Sequence, residues 1–116
     1  CSLGPREGLT APGELYPELW LAGPAGETLA EMPENRDVPD APLPSPLSRV
    51  GPSSEFQAII NQGNDALGYI IPETQYDLRS PHAYRESGQY GEQNSLGPGA
   101  APELEDAVRR LYQLAN

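Results

Sequence analysis

Two side chains in this sequence are placed where their types could do chemistry. Glu14 directly follows Pro12-Gly13, a turn that lets the backbone approach closely and presents the next side chain at an element's end. Tyr69 sits in NDALGYIIP, residues 64–72, behind Asn64, Asp65 and Gly68 and against Ile70, Ile71 and Pro72. A carboxylate and a phenol so presented fit one wall of an active site. Each also has a plain structural reading. Glu14 would be a first-turn helix acid, stabilising by a few tenths to about 1 kcal/mol through the macrodipole. Tyr69, alternating with Leu67 and Ile71 in a β-like run, would be a buried tyrosine whose hydroxyl finds one partner, with Asn64 and Asp65 as ordinary turn formers.

The familiar catalytic signatures are absent. The chain has no G-x-x-x-x-G-K, no G-x-S-x-G, no H-E-x-x-H and no cysteine pair at metal spacing. Its single histidine, His82, follows Pro81 in a turn-rich loop and reads as a solvated surface residue. Its single cysteine is Cys1, which cannot form an internal disulfide. Cys1 fits a terminus left by cleavage or truncation, a lipid-bearing terminus, or an N-terminal thiol nucleophile, in that order, the last lacking a well-placed base.

Composition limits what surrounds these residues. Of 116 residues only 37% are apolar, while 14 are Pro and 12 are Gly, so much of the backbone favours turns and extended loops. The net charge of -10, with seven scattered basic residues, argues against a nucleic-acid partner, which needs clustered Lys and Arg. No apolar run approaches the roughly 20 residues that span a bilayer. Nor does a basic segment with an apolar stretch mark a signal peptide. The composition leaves the compartment open, with secreted and cell-envelope settings both compatible.

Three segments follow along the chain. Residues 1–23 read as a strand or extended segment, the Pro-Gly-Glu turn and a short helix over ELYPELWLAG, with Pro17 in its first turn and Gly23-Pro24 as its stop. Residues 24–54 form a Pro-rich excursion without helical or strand periodicity, read as surface loop. Residues 55–116 hold a buried strand at Phe56–Ile60, the Tyr-bearing segment, a one-turn helix at Pro72, a loop over 79–101 and a final helix. That helix places Leu104, Ala107, Val108, Leu111 and Leu114 on one stripe, with acids at its start and Arg109-Arg110 later. The pattern is α/β. Two or three strands and one long helix leave apolar faces open, so the chain reads as an incomplete domain whose missing layer comes from elsewhere.

Taken in order, Pro12-Gly13-Glu14 before a helix, the strand at Phe56–Ile60, Asn64 to Tyr69, then Tyr76, Tyr84, Tyr90-Gly91 and the helix at 102–114 resemble the C-terminal part of the catalytic domain of the neutral ceramidases. The resemblance spans nearly the whole chain through short motifs. It implies a fragment of a larger sheet-and-helix catalytic domain with long Pro/Gly-rich loops. It also implies a zinc-dependent amidohydrolase acting on an N-acyl sphingoid lipid or another lipid amide. By that resemblance Glu14 and Tyr69 are zinc ligands, completed by two histidines outside this chain, and Asn64 or Asp65 orient the turn from behind. The partner implied is the N-terminal portion of the same protein or its cleaved chain.

The implied chemistry is physically sound. A catalytic zinc keeps one position for water, lowers that water's pKa to about 7 and polarises the scissile carbonyl. A phenol with an ordinary pKa near 10 becomes a useful ligand when a cation stabilises the phenolate. The family's catalytic serine and zinc histidines have no counterpart in this chain, and His82 matches neither histidine by position. The Pro-rich excursion replaces a longer helix, which puts ceramide itself in question as the substrate. A reading from another class is a non-catalytic exported structural or interaction module that keeps the fold and docks a partner through the Pro-rich loop.

Overall fold

The computed structural model describes residues 6–31, 37–51, 54, 56–82 and 86–115. Its elements are β1 (Arg6–Thr10), β2 (Glu14–Leu15), α1 (Pro17–Trp20), β3 (Phe56–Ile60), β4 (Tyr69–Ile70), α2 (Tyr90–Gln93) and α3 (Ala100–Ala115), with 3-10 turns at Leu29–Glu31, Leu47–Arg49 and Glu73–Gln75. Mixed helices and small parallel sheets make this an α/β-like globule.

The strands form one interrupted parallel ribbon. β1 pairs with β3 in the register Arg6 to Phe56 through Thr10 to Ile60, and β2 pairs with β4. Between the pairs the two chains stay in contact. Gln62 N–H donates to Gly13 O at 3.0 Å, Gly63 N–H to Ala11 O at 2.9 Å and Leu67 N–H to Pro12 O at 2.9 Å. Residues 61–68 therefore bulge out of the second chain while the first runs straight through Pro12-Gly13.

The core lies on one side of this ribbon. Leu9, Ala11, Leu15 and Ile70 meet Leu19 of α1, Leu47, and Ala101 and Val108 of α3, with Trp20, Val50, Ile59, Leu104 and Tyr112 packed around them. The helix expected from Glu14 is corrected here: Glu14 and Leu15 are strand, and helix begins only at Pro17. The cause is local. A residue before proline is pushed out of the helical region, and Tyr16 is extended at φ -66°, ψ 141°.

Four further expectations change. The Pro-rich excursion is not all surface loop: Ala30 and Leu47 are buried, Leu47 as a member of the core. One leucine inserted from a proline-stiffened segment buries area without needing periodicity. The strand at Phe56–Ile60 is not buried on both faces, because Phe56 and Ile60 are each 58% exposed. Of the expected α3 stripe Val108 is buried and Leu104 half-buried, whereas Ala107 and Leu111 are exposed and Leu114 is 86% exposed. The loop expected over 79–101 contains α2. Among the described residues no helix is long and apolar enough to cross a membrane.

Candidate functional site

The site is built where the ribbon narrows to β2 and β4. Their parallel register sets Glu14 opposite Tyr69 and Leu15 opposite Ile70. Side chains alternate between the faces of a strand, so the first pair shares one face and the second the other. Leu15 and Ile70 take the core face, where both are buried. That fixes Glu14 and Tyr69, both partly buried, on the opposite face.

The glycines beside them are required by close backbone contact. A Cβ at Gly13 would lie 2.6 Å from Gly68 O and 2.9 Å from Ile70 Cγ1. Gly68 has φ +95°, a left-handed conformation, and a Cβ there would lie 2.1 Å from Asn94 O. Glu14 N–H donates to Gly68 O at 2.9 Å and Tyr16 N–H to Ile70 O at 3.0 Å, while Tyr69 N–H turns the other way to Asn94 O at 3.0 Å. β4 is thereby held on both edges, which fixes the Tyr69 backbone firmly.

Aromatic rings fix its side chain. The Tyr69 ring lies 6.2 Å from Tyr16 at an interplanar angle of 83° and 5.9 Å from Tyr90 at 80°, two edge-to-face contacts. Tyr16 is two residues beyond Glu14 on the same strand path and so shares its face. Burial, followed by the negative charge of Glu92 and then by Tyr69, Glu18 and Asp37, raises the Tyr16 phenol above its ordinary value. Tyr16 is therefore a hydroxyl that keeps its proton. Gln62 reaches over from the bulge, its Nε2 donating to Glu14 Oε2 at 3.4 Å.

Behind this row stands α2, secured by a buried carboxylate. Glu92 Oε1 accepts Asp77 N–H at 2.9 Å and Oε2 accepts Gln89 N–H at 2.8 Å. Tyr76 is committed to the same corner: its hydroxyl donates to Glu92 O at 3.2 Å and lies 2.7 Å from Ser95 Oγ.

The other expected residues fall elsewhere. Asn64 and Asp65 are exposed in the bulge, Asn64 at φ +77°, and Asp65 Oδ1 accepts the N–H of Ala66 at 2.8 Å. Neither hydrogen-bonds Glu14 or Tyr69. His82 is not solvated as expected: its side chain is 12% exposed, with Nδ1 3.2 Å from Asp77 O and 3.6 Å from Asp77 Oδ1. Tyr84 lies outside the described residues.

Tyr16, Gln62 and Glu92 carry no signal used in the sequence reading, and Tyr90 enters it only as part of the Tyr90-Gly91 motif. Tyr16 was available in principle, since a strand through Glu14 puts residue i+2 on the same face. Reading that stretch as helix hid it. Gln89 and Glu92, spaced as a capping box, were the usable sign of α2.

Chemically, the face offers one carboxylate and one phenol side by side, an additional proton-bearing phenol and an amide. Among the described residues no group of three or more His, Cys, Asp or Glu is arranged to hold a metal. Glu14 and Tyr69 together supply two oxygen donors, half of a tetrahedral set. No family model, no curated protein and no solved structure matches this chain.

Proposed function

We propose that this chain is the C-terminal portion of a zinc-dependent amidohydrolase resembling the neutral ceramidases, hydrolysing a lipid amide with a zinc-activated water. Glu14 and Tyr69 would hold the metal, with histidines from the N-terminal portion of the same polypeptide as the remaining ligands. The observation that carries the reading is the Glu14–Tyr69 register, because two residues separated by 54 others are direct partners on one face.

Bound there, the ion would supply an activated water and a Lewis acid for the amide carbonyl. The chain's own residues do the rest. The Glu14 carboxylate brings a full negative charge that attracts a cation, and Gln62 restrains its orientation. The rings of Tyr16 and Tyr90 limit rotation of Tyr69, so the entropy of ordering a ligand is already spent before binding. Tyr16 keeps its proton and offers a hydrogen bond on the same face. Alone, with half a ligand set, the chain would be inactive.

The exposure of Phe56 and Ile60 on a two-stranded parallel sheet supports the reading of a fragment, since parallel strands are normally covered on both faces. A docking role for the Pro-rich loop has less support, because Leu47 and Ala30 are spent inward. The test is metal analysis and amide turnover of the complete gene product with Glu14→Ala and Tyr69→Phe. Both variants should lose zinc at least about tenfold, as even residues behind the ligands cost about 10–100-fold in metal affinity. Unchanged zinc and turnover in both would remove the assignment.

A further inference from the structure

A cleft of about 490 Å3 opens between three pieces of chain on the core side of the ribbon, away from Glu14 and Tyr69. Its volume falls in the range of small-molecule sites, about 300–1,000 Å3. One wall is the turn over 22–28, closed by the antiparallel bridge between Ala22 and Thr28 and by Gly23 N–H donating to Glu27 O at 2.8 Å. The second is the Pro-rich segment from Leu43 to Val50, anchored by Leu47 in the core. The third is α3 at Arg109. The last two walls are tied together: Glu105 Oε2 accepts Ser45 N–H at 3.2 Å, and Oε1 accepts from Arg109 Nε at 3.1 Å and Nη2 at 2.6 Å.

Two side chains on these walls lack an opposite charge. Glu27 Oε2 accepts the N–H of Ala25 at 2.9 Å, which holds the carboxylate over its own turn, and among the described residues it makes no ion pair. Arg49 closes a 3-10 turn through its backbone, N–H donating to Pro46 O at 2.9 Å, and its guanidinium has no partner among the described residues. Glu27 and Arg49 thus line one cavity without meeting each other, whereas Arg109 in the same cavity is already committed to Glu105.

We propose that this cleft binds a free α-amino acid with an apolar side chain, its carboxylate on the Arg49 guanidinium and its ammonium on the Glu27 carboxylate. A guanidinium presents a planar fork of donors that matches a carboxylate, and a carboxylate accepts from an ammonium. A simple anion would satisfy Arg49 but face Glu27 and the repulsion of a chain whose net charge is -10. A simple cation would satisfy Glu27 but face Arg49 and Arg109. A zwitterion meets both groups, displaces no existing ion pair and, being neutral, is not repelled by the net charge. Leu43, 43% exposed, and the half-buried Val50 supply apolar wall for its side chain.

Titration of the complete gene product with leucine, N-acetylleucine and leucinamide, followed through the backbone amide resonances of Thr28, Ser45 and Val50, tests this. Leucine should give saturable shifts. N-acetylleucine, which lacks the ammonium, and leucinamide, which lacks the carboxylate, should each bind at least about tenfold more weakly, because each leaves one charged group unpaired. Arg49→Gln and Glu27→Gln should each weaken leucine at least about tenfold. Arg49 is exposed and Glu27→Gln keeps an oxygen for the Ala25 N–H, so both variants should fold. No saturable shift up to about 10 mM leucine overturns the inference. So does either analogue, or either variant, binding as tightly as the unaltered pair.

Discussion

Tyr69 stands directly across a parallel strand pair from Glu14, and its ring makes edge-to-face contacts with both Tyr16 and Tyr90. The arrangement depends on backbones in close contact, on buried polar groups that secure the neighbouring segments, and on strands that share a face by register. Each dependence can be measured.

Gly68→Ala should be strongly destabilising. It adds a left-handed penalty of roughly 1–2 kcal/mol to a contact with Asn94 O that a Cβ cannot share. Urea unfolding should show a loss above about 2 kcal/mol, whereas Gly26→Ala, also at positive φ but with open space around it, should show only the conformational penalty.

Glu92→Ala should loosen the corner behind the tyrosine row. It leaves the N–H groups of Asp77 and Gln89 unpaired in buried or partly buried surroundings, at about 1–3 kcal/mol each. Amide exchange at these two positions should accelerate first, and Tyr76→Phe should lose about 1 kcal/mol through the same corner.

How far such features were legible in the sequence differs from residue to residue. The α3 helix is clear in the sequence because its acids, arginines and apolar periodicity agree, and the α/β character follows from element order, whereas the parallel pairing comes from the structure alone. Glu14 and Tyr69 were noticed through the turns before them, but composition gave no register between positions 14 and 69; that comes from tertiary pairing. Pro17 misled. Its position suits the first turn of a helix, while its physical effect is to keep Tyr16 extended and let Glu14 join a strand. The loop neighbours of His82 carry no information about the Asp77 carboxylate folded back onto it.

Acid should weaken the tie between α3 and the Pro-rich excursion. Burial alone would raise the Glu105 carboxyl, but hydrogen bonds from Arg109 and from the Ser45 N–H outweigh it and hold the group below its ordinary value. A depressed folded-state pKa stabilises above the unfolded value and ceases to do so as pH falls through the folded one. Glu105→Gln should therefore flatten the acid limb of stability against pH, measured by urea midpoints between neutral pH and about pH 3.

At alkaline pH, Tyr112 should be among the last tyrosines to ionise. Burial, then its hydrogen bond to Glu7 and that carboxylate's charge, push its phenol up to about 12. A raised folded-state pKa gives stability that is complete below the unfolded value near 10 and lost as pH rises through about 12. Ultraviolet titration should show a late phenolate step that Tyr112→Phe reduces.

In the proposed function the Glu14 carboxylate and the Tyr69 phenolate share one ion. Anomalous scattering at the zinc edge from crystals of the complete gene product tests it most directly. The expected result is a peak about 2.0–2.2 Å from an oxygen of each side chain, joined by two imidazole nitrogens from another part of the polypeptide. A zinc peak bound by other residues, with Glu14 and Tyr69 left uncoordinated, would contradict it.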